Sequence, residues 1–215
     1  MESIIEVSRR ASPASKPQSL AFDGSDFWMG SRETRHLYAI DPRTWTSRDL
    51  GEAPGTPWGI AVTGRELRVC TGEAPNDNRF IRRYVMGSGF DPDFRLACPE
   101  DTGSQLSYDG HRVYVSQWYK KRILALSDLG DIERTIEVPH GICGHVFAKG
   151  DFYCVTTDDE ESGPYYLTRV GRMGGGTDLA AIPFPARALT LDGAQFWTNH
   201  READQIVSFQ LPDGL

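Results

Sequence analysis

The sequence predicts an all-β fold, a five-bladed β-propeller whose ring is closed by an N-terminal strand, and three observations carry that expectation. First, five segments superimpose: Leu20-Ala-Phe-Asp-Gly24, Ile60-Ala-Val-Thr-Gly64, Leu106-Ser-Tyr-Asp-Gly110, Val146-Phe-Ala-Lys-Gly150 and Leu189-Thr-Leu-Asp-Gly193. Second, their starts lie 40, 46, 40 and 43 residues apart, a period suited to four-stranded propeller blades and too long for leucine-rich repeats. Third, Ile4-Ile5-Glu6-Val7 resembles Thr135-Ile136-Glu137-Val138 and supplies the strand that the last repeat lacks.

Each repeat reads as a hairpin followed by further strands. The glycine closes the first turn, because Asp-Gly suits a turn that needs positive φ. A second strand follows at Phe27-Trp-Met, Leu67-Arg-Val, Val113-Tyr-Val, Phe152-Tyr-Cys-Val and Phe196-Trp-Thr. These are β-branched and aromatic residues that fit a pleated, packed surface. Third strands begin at Leu37, Ile81, Ile123, Leu167 and Ile206, which lie 13, 17, 13, 17 and 13 residues after their glycines, so repeats two and four carry the longer loops. Fourth strands are predicted at Thr46–Leu50, Phe94–Cys98, Thr135–Val138 and Leu179–Phe184. The chain thus reads as one domain, 1–215, with blades near 18–57, 58–103, 104–141, 142–185 and 186–215, the last completed by residues 3–8. Closure by both termini removes an exposed sheet edge.

Composition sets the outer bounds. A net charge of −7, from 30 acidic and 23 basic residues, argues against a nucleic-acid or anionic-membrane partner and leaves small molecules open. The opening residues have no basic, then apolar, leader pattern, and no stretch approaches a membrane span, so a cytoplasmic protein is expected. Cys70, Cys98, Cys143 and Cys154 lack metal-knuckle spacing and read as buried thiols. A hairpin turning at Ala148-Lys149 places Cys143 opposite Cys154.

In a propeller, the starts of the inner strands and the ends of the second strands share one face around the central channel. The inner-strand starts bring Gln18, Trp58, Gln105, His145 and Arg187 to that face. The second-strand ends bring Glu33, Glu73, Trp118, Asp158 and His200. His145 and His200 are the candidate general bases, set against a core histidine and a solvated loop histidine. Arg187 is a candidate carboxylate clamp, set against an inter-blade ion pair. Trp58 and Trp118 are candidate apolar walls, Gln105, Glu33 and Glu73 candidate polar contacts. Asp158 opens the acidic run Asp158-Asp-Glu-Glu161, whose alternative is a solvated loop. His145, Arg187 and His200 are expected to converge at one end of the channel. Two histidines without a third ligand make no zinc site, and no metal or cofactor is expected. Gly171-Arg-Met-Gly-Gly-Gly176 precedes no helix and reads as a turn between strands, not a phosphate loop.

The blade pattern Leu20-x-Phe-Asp-Gly, Phe27-Trp28 and Leu37-Tyr-Ala-Ile-Asp-Pro42 resembles the glutamine cyclotransferase, SMP-30/gluconolactonase and YVTN/NHL-like propellers over nearly the whole chain. Five blades point within that group to the glutamine cyclotransferase-like fold, whose enzymes cyclise N-terminal glutamine. The resemblance lies in blade motifs alone. The Phe-Thr-Gln-Gly-Leu type opening and the Asn-Glu-Leu-Glu segment are missing, and the Glu, Asn and Asp ligand set of the gluconolactonase type has no recognisable match, Asn199 alone standing at a channel position, so no catalytic residue is carried over. Two functional classes follow: a lyase, cyclotransferase or isomerase working by proton transfer at the funnel, or a non-catalytic module that binds a ligand or protein through the same face.

Overall fold

The computed structural model describes residues 1–212 of the 215; residues 213–215 of the last predicted blade lie outside the described residues. Five antiparallel sheets of four strands form the ring. Blade 1 holds β2 (Pro17–Phe22), β3 (Phe27–Ser31), β4 (His36–Ile40) and β5 (Ser47–Glu52). Blade 2 holds β6 (Thr56–Thr63), β7 (Glu66–Glu73), β8 (Asn78–Val85) and β9 (Gly89–Ala97). Blade 3 holds β10 (Leu106–Tyr108), β11 (Val113–Gln117), β12 (Arg122–Leu126) and β13 (Ile132–Glu137). Blade 4 holds β14 (Gly141–Ala148), β15 (Asp151–Thr157), β16 (Tyr165–Gly171) and β17 (Gly174–Ile182). Blade 5 combines β18 (Ala186–Leu191), β19 (Phe196–His200) and β20 (Gln205–Gln210) with β1 (Ile5–Ala11) from the other end of the chain. Among the described residues no helix is long and apolar enough to cross a membrane.

The ring closes through β1, which pairs antiparallel with β20 from Ile5↔Gln210 to Ala11↔Gln205. The residues before it reach the neighbouring blade, where the Ile4 amide donates to the Ala181 carbonyl at 2.9 Å and the Ala181 amide to the Glu2 carbonyl at 2.8 Å. The N-terminus therefore ties blade 4 to blade 5 as well as completing blade 5.

Stability is distributed between blades. Each of the five apolar clusters joins two neighbours, as where Phe27, Met29 and Ile40 of blade 1 meet Trp197 and Ile206 of blade 5. Along β4 the side chains alternate between two such interfaces, Leu37 and Ala39 facing blade 2 and Tyr38 and Ile40 facing blade 5. Both faces of every blade are thus covered, and β3 is buried at every residue. Its first three residues, Phe27-Trp28-Met29, are accordingly all large and apolar with no polar alternation, the signature of a sheet packed on both sides.

The Asp-Gly turns form as predicted, with positive φ at Gly24, Gly110 and Gly193. Their aspartates add a contact across the hairpin: Asp23, Asp109 and Asp192 accept from Trp28 Nε1, Tyr114 Oη and Trp197 Nε1, each at 2.8 Å. In blade 4 the glycine-rich segment is mostly strand, and only Arg172-Met173 separates β16 from β17.

The predicted pairing of Cys143 with Cys154 is corrected by the β14–β15 register. Ile142 faces Thr156 and Gly144 faces Val155, so Cys143 occupies a bulge and Cys154 lies opposite His145. All four cysteines are free and buried. Cys70 and Cys98 are the pair that meets, with sulfurs 3.9 Å apart.

Candidate functional site at the channel mouth

Inner strands β2, β6, β10, β14 and β18 surround the channel; four of them, all but β10, carry a bulge near the start, and three of these bulges set what faces the channel mouth. In β2 the register jumps across Gln18, in β6 across Trp58, and in β14 across Cys143. A bulge adds one unpaired residue and re-aims its side chain; these three residues line one cavity at the mouth, about 360 Å³ in volume. Glycine follows the bulge where neighbouring inner strands touch. A Cβ on Gly59 would lie 2.3 Å from the Ser104 carbonyl oxygen, and one on Gly144 2.3 Å from the Ala188 backbone.

Of the residues singled out from the sequence, Trp58, Gln105, Trp118 and Arg187 line this cavity together. Arg187 is 4% exposed. Its Nη1 donates to Tyr165 Oη at 2.7 Å and to the Ala186 carbonyl at 2.9 Å, and its Nη2 to Glu160 Oε2 at 3.0 Å. Tyr165 Oη in turn donates to the Glu160 carbonyl at 2.8 Å, so one phenol positions both members of the ion pair. Burial raises the Tyr165 pKa, against the pull of Arg187, and keeps it a phenol. Cys143 Sγ lies 3.7 Å from Arg187 Nη1; burial pushes its thiol up to about 12, so it is no thiolate nucleophile.

Two glutamines close the floor. The Gln105 side chain crosses from blade 3, its Nε2 donating to the Trp58 carbonyl of blade 2 at 2.8 Å and to the Gln18 carbonyl of blade 1 at 3.5 Å. Gln18 Oε1 accepts from Arg201 Nη1 at 2.9 Å, and Arg201 Nε donates to Glu202 at 2.9 Å. Glu202 is held down at about 2, chiefly by its bonds from Lys16 and Arg201. The walls are aromatic. Trp58 carries the Arg79 guanidinium 4.1 Å from its ring centroid, and Trp118 packs so closely on Gly141 that a Cβ there would lie 2.5 Å from the indole.

The expected convergence of His145, Arg187 and His200 is corrected. The Cys143 bulge displaces His145 into the regular ladder opposite Cys154, where it faces the cavity at the other, turn end of the channel. His145 Nε2 lies 3.1 Å from the Gln105 carbonyl, which only accepts, so this nitrogen carries the proton and Nδ1 accepts from Ser107 Oγ at 2.8 Å. Burial, partly offset by the bond to the Gln105 carbonyl, pushes its pKa down to about 4. His200 stacks on Phe184 with ring centroids 4.8 Å apart, and its Nδ1 accepts from Arg9 at 3.0 Å. Burial and then Arg9 lower its pKa. It sits against the closing strand β1, away from the mouth cavity.

Three acidic candidates also lie outside the cavity. Glu33 is exposed. Glu73 is buried in an ion-pair network with Arg82 at 2.7 Å and Arg95 at 3.2 Å. Burial raises its carboxyl, but bonds from Arg82, Thr71 and Arg95 outweigh that and hold it below its ordinary value. Asp158 is exposed and pairs with Lys121 at 2.7 Å and His140 at 2.6 Å. From the same acidic run, Glu160 reaches the cavity. Glu160 and Arg201 stand at second-strand ends and Gln18 before an inner strand, so their positions pointed to this face, but none of the three was singled out as a site residue.

No family model matches the chain, and no curated protein matches its sequence. Its backbone is similar to solved structures. Glutaminyl cyclase from Myxococcus xanthus superposes with a TM-score of 0.72 at 13% identity, covering 98% of each chain. The PQQ-bound aldose sugar dehydrogenase from Streptomyces coelicolor gives 0.66 at 13% identity, over 96% of this chain and 97% of that one. Virginiamycin B lyase from Staphylococcus aureus gives 0.58 at 11% identity, over 95% and 98%. At such identities the likeness is one of fold alone: the chain is a five-bladed β-propeller whose backbone is similar to those of these proteins.

Proposed function

We propose that the chain is an enzyme acting on a small molecule at the channel mouth by proton transfer, of the lyase, cyclotransferase or isomerase type. The observation that carries this reading is the Arg187–Glu160 pair at 3.0 Å in a concave cavity that Trp58 and Trp118 also line. Arg187 is buried and fixed by Tyr165, whereas the Glu160 side chain is 43% exposed. An incoming carboxylate or developing oxyanion takes the place of Glu160 on the guanidinium, and the released Glu160 carboxylate then lies beside the bound molecule as a base. A base next to a fixed cation suits a substrate whose anionic group is held while a nearby proton moves. The cyclase and lyase names among the structural neighbours agree with such chemistry as fold analogy only.

The second reading, a non-catalytic binding module using the same cavity, is favoured by both histidines lying outside it and by the protonated state of Cys143. The two are separated by incubating the protein in D2O with small carboxylates and amides and following each by proton NMR, which reports exchange, elimination or cyclisation directly. The enzymatic reading expects turnover or C–H exchange that Glu160→Gln abolishes while binding persists, and that Arg187→Met weakens through binding. Binding without any chemistry, equal in wild type and Glu160→Gln, would leave only the module.

A further inference from the structure

Resting on the reading of the mouth cavity as a small-molecule site, we infer that its floor recognises a cis-amide edge: an N–H and a C=O carried side by side on one planar group, as in a primary carboxamide or a cyclic amide. Gln105 and Gln18 are 4% and 2% exposed, and each is pinned by one end of its amide. Gln105 spends Nε2 on the Trp58 and Gln18 carbonyls, which only accept, so its Oε1 cannot exchange places with its nitrogen. Gln18 spends Oε1 on the Arg201 guanidinium, which only donates, so its Nε2 is equally fixed. Among the described residues Gln105 Oε1 and Gln18 Nε2 have no protein partner, and neither is sealed in the core; both residues line the mouth cavity.

The floor therefore offers one acceptor and one donor of fixed polarity, on neighbouring side chains linked through the 3.5 Å contact of Gln105 Nε2 with the Gln18 carbonyl. Buried polar atoms left unpaired are costly, and a site built around a specific donor and acceptor discriminates strongly against ligands that cannot pair with both. A carboxylate satisfies Gln18 Nε2 but opposes Gln105 Oε1. An ammonium does the reverse. A trans secondary amide presents its two groups on opposite edges and reaches one glutamine only. A cis-amide edge pairs with both, and Trp58 and Trp118 offer apolar walls to the planar group that carries it.

The test is an NMR titration of the full chain, following the side-chain NH2 signals of Gln18 and Gln105 with valerolactam, propionamide and N-methylacetamide, the last being trans. The lactam and the primary amide are expected to shift the Gln18 NH2 signals and to bind at least tenfold more tightly than N-methylacetamide. The tighter of the two tells whether the natural ligand is cyclic or open-chain. Gln18→Glu keeps an oxygen facing Arg201 and removes the donor; it should weaken both cis-amides about tenfold and so abolish their advantage over N-methylacetamide, with melting confirming the fold. Gln105→Met, which removes the acceptor, should act alike if it folds. Equal binding of cis and trans amides would overturn the inference. So would the failure of both cis-amides to bind while small carboxylates still bind through Arg187, an outcome that leaves the mouth site standing. Failure of carboxylates and amides together would sink both.

Discussion

The Asp192 carboxylate accepts the indole N–H of Trp197 at 2.8 Å, five residues downstream across the first hairpin of blade 5. Its other oxygen accepts the Ala194 and Gln195 amides at 2.9 and 2.8 Å, so one side chain shapes the turn and fixes a core aromatic. Asp192→Ala leaves a largely buried indole N–H unpaired and should cost about 2 kcal/mol, read as a lower urea midpoint at unchanged slope. An unchanged midpoint would show that the turn stands without this contact.

Removing residues 1–11 deletes β1 and exposes the β20 edge. Because the same segment bonds to Ala181 in blade 4, the truncated chain should aggregate or melt well below the intact protein, by thermal denaturation and light scattering. A truncated protein that melts like the full chain would contradict closure by the N-terminus.

The buried neutral state of His145 predicts a pH dependence. Its folded pKa, about 4, lies below the ordinary value of 6.5, so between these values the unfolded chain binds more protons. Its contribution is complete above pH 6.5 and is lost as pH falls toward 4, on the order of 3 kcal/mol in all. Urea unfolding of wild type and His145→Gln across this window should show a shallower pH slope in the variant. Parallel slopes would mean that His145 is not the titrating group.

Glu73 joins Thr71 to Arg82 and Arg95, and removing it leaves the largely buried Arg82 guanidinium without its counter-charge, whereas Arg95 is exposed. Glu73→Ala should destabilise by about 3 kcal/mol yet leave ligand binding at the mouth within twofold, by paired melting and titration experiments. Loss of binding without loss of stability would return Glu73 to the site.

The repeat carried most of the architecture because an aliphatic residue four before a turn glycine recurs at blade spacing, and because Leu37-Tyr38-Ala39-Ile40 must serve two interfaces at once. It also brought Trp58, Gln105, Trp118 and Arg187 to one end of the channel. What it could not carry is register within a strand. The bulge at Cys143 is marked in β14 only by Gly144, which follows it as Gly59 follows the bulge in β6, and it alone decides that Cys143 faces the mouth and His145 the opposite end. Likewise nothing in Asp158-Asp-Glu-Glu161 distinguishes the acid that reaches Arg187 from the one that reaches Lys121, since that choice is made by Tyr165 holding the Glu160 backbone.

The five tryptophans provide the most direct test of where function resides. Trp58 and Trp118 line the mouth cavity, whereas the Trp28 and Trp197 indoles are bonded to turn aspartates and the Trp45 indole to the Ala11 carbonyl. Nitrogen–proton correlation spectra of the five indole N–H groups, recorded while small carboxylates and amides are added, report the occupied end of the channel. Shifts confined to Trp58 and Trp118, and weakened in Arg187→Met, are the predicted result. Shifts at Trp28 and Trp197 with Trp58 and Trp118 unmoved would contradict it and place the site at the turn end, beside His145.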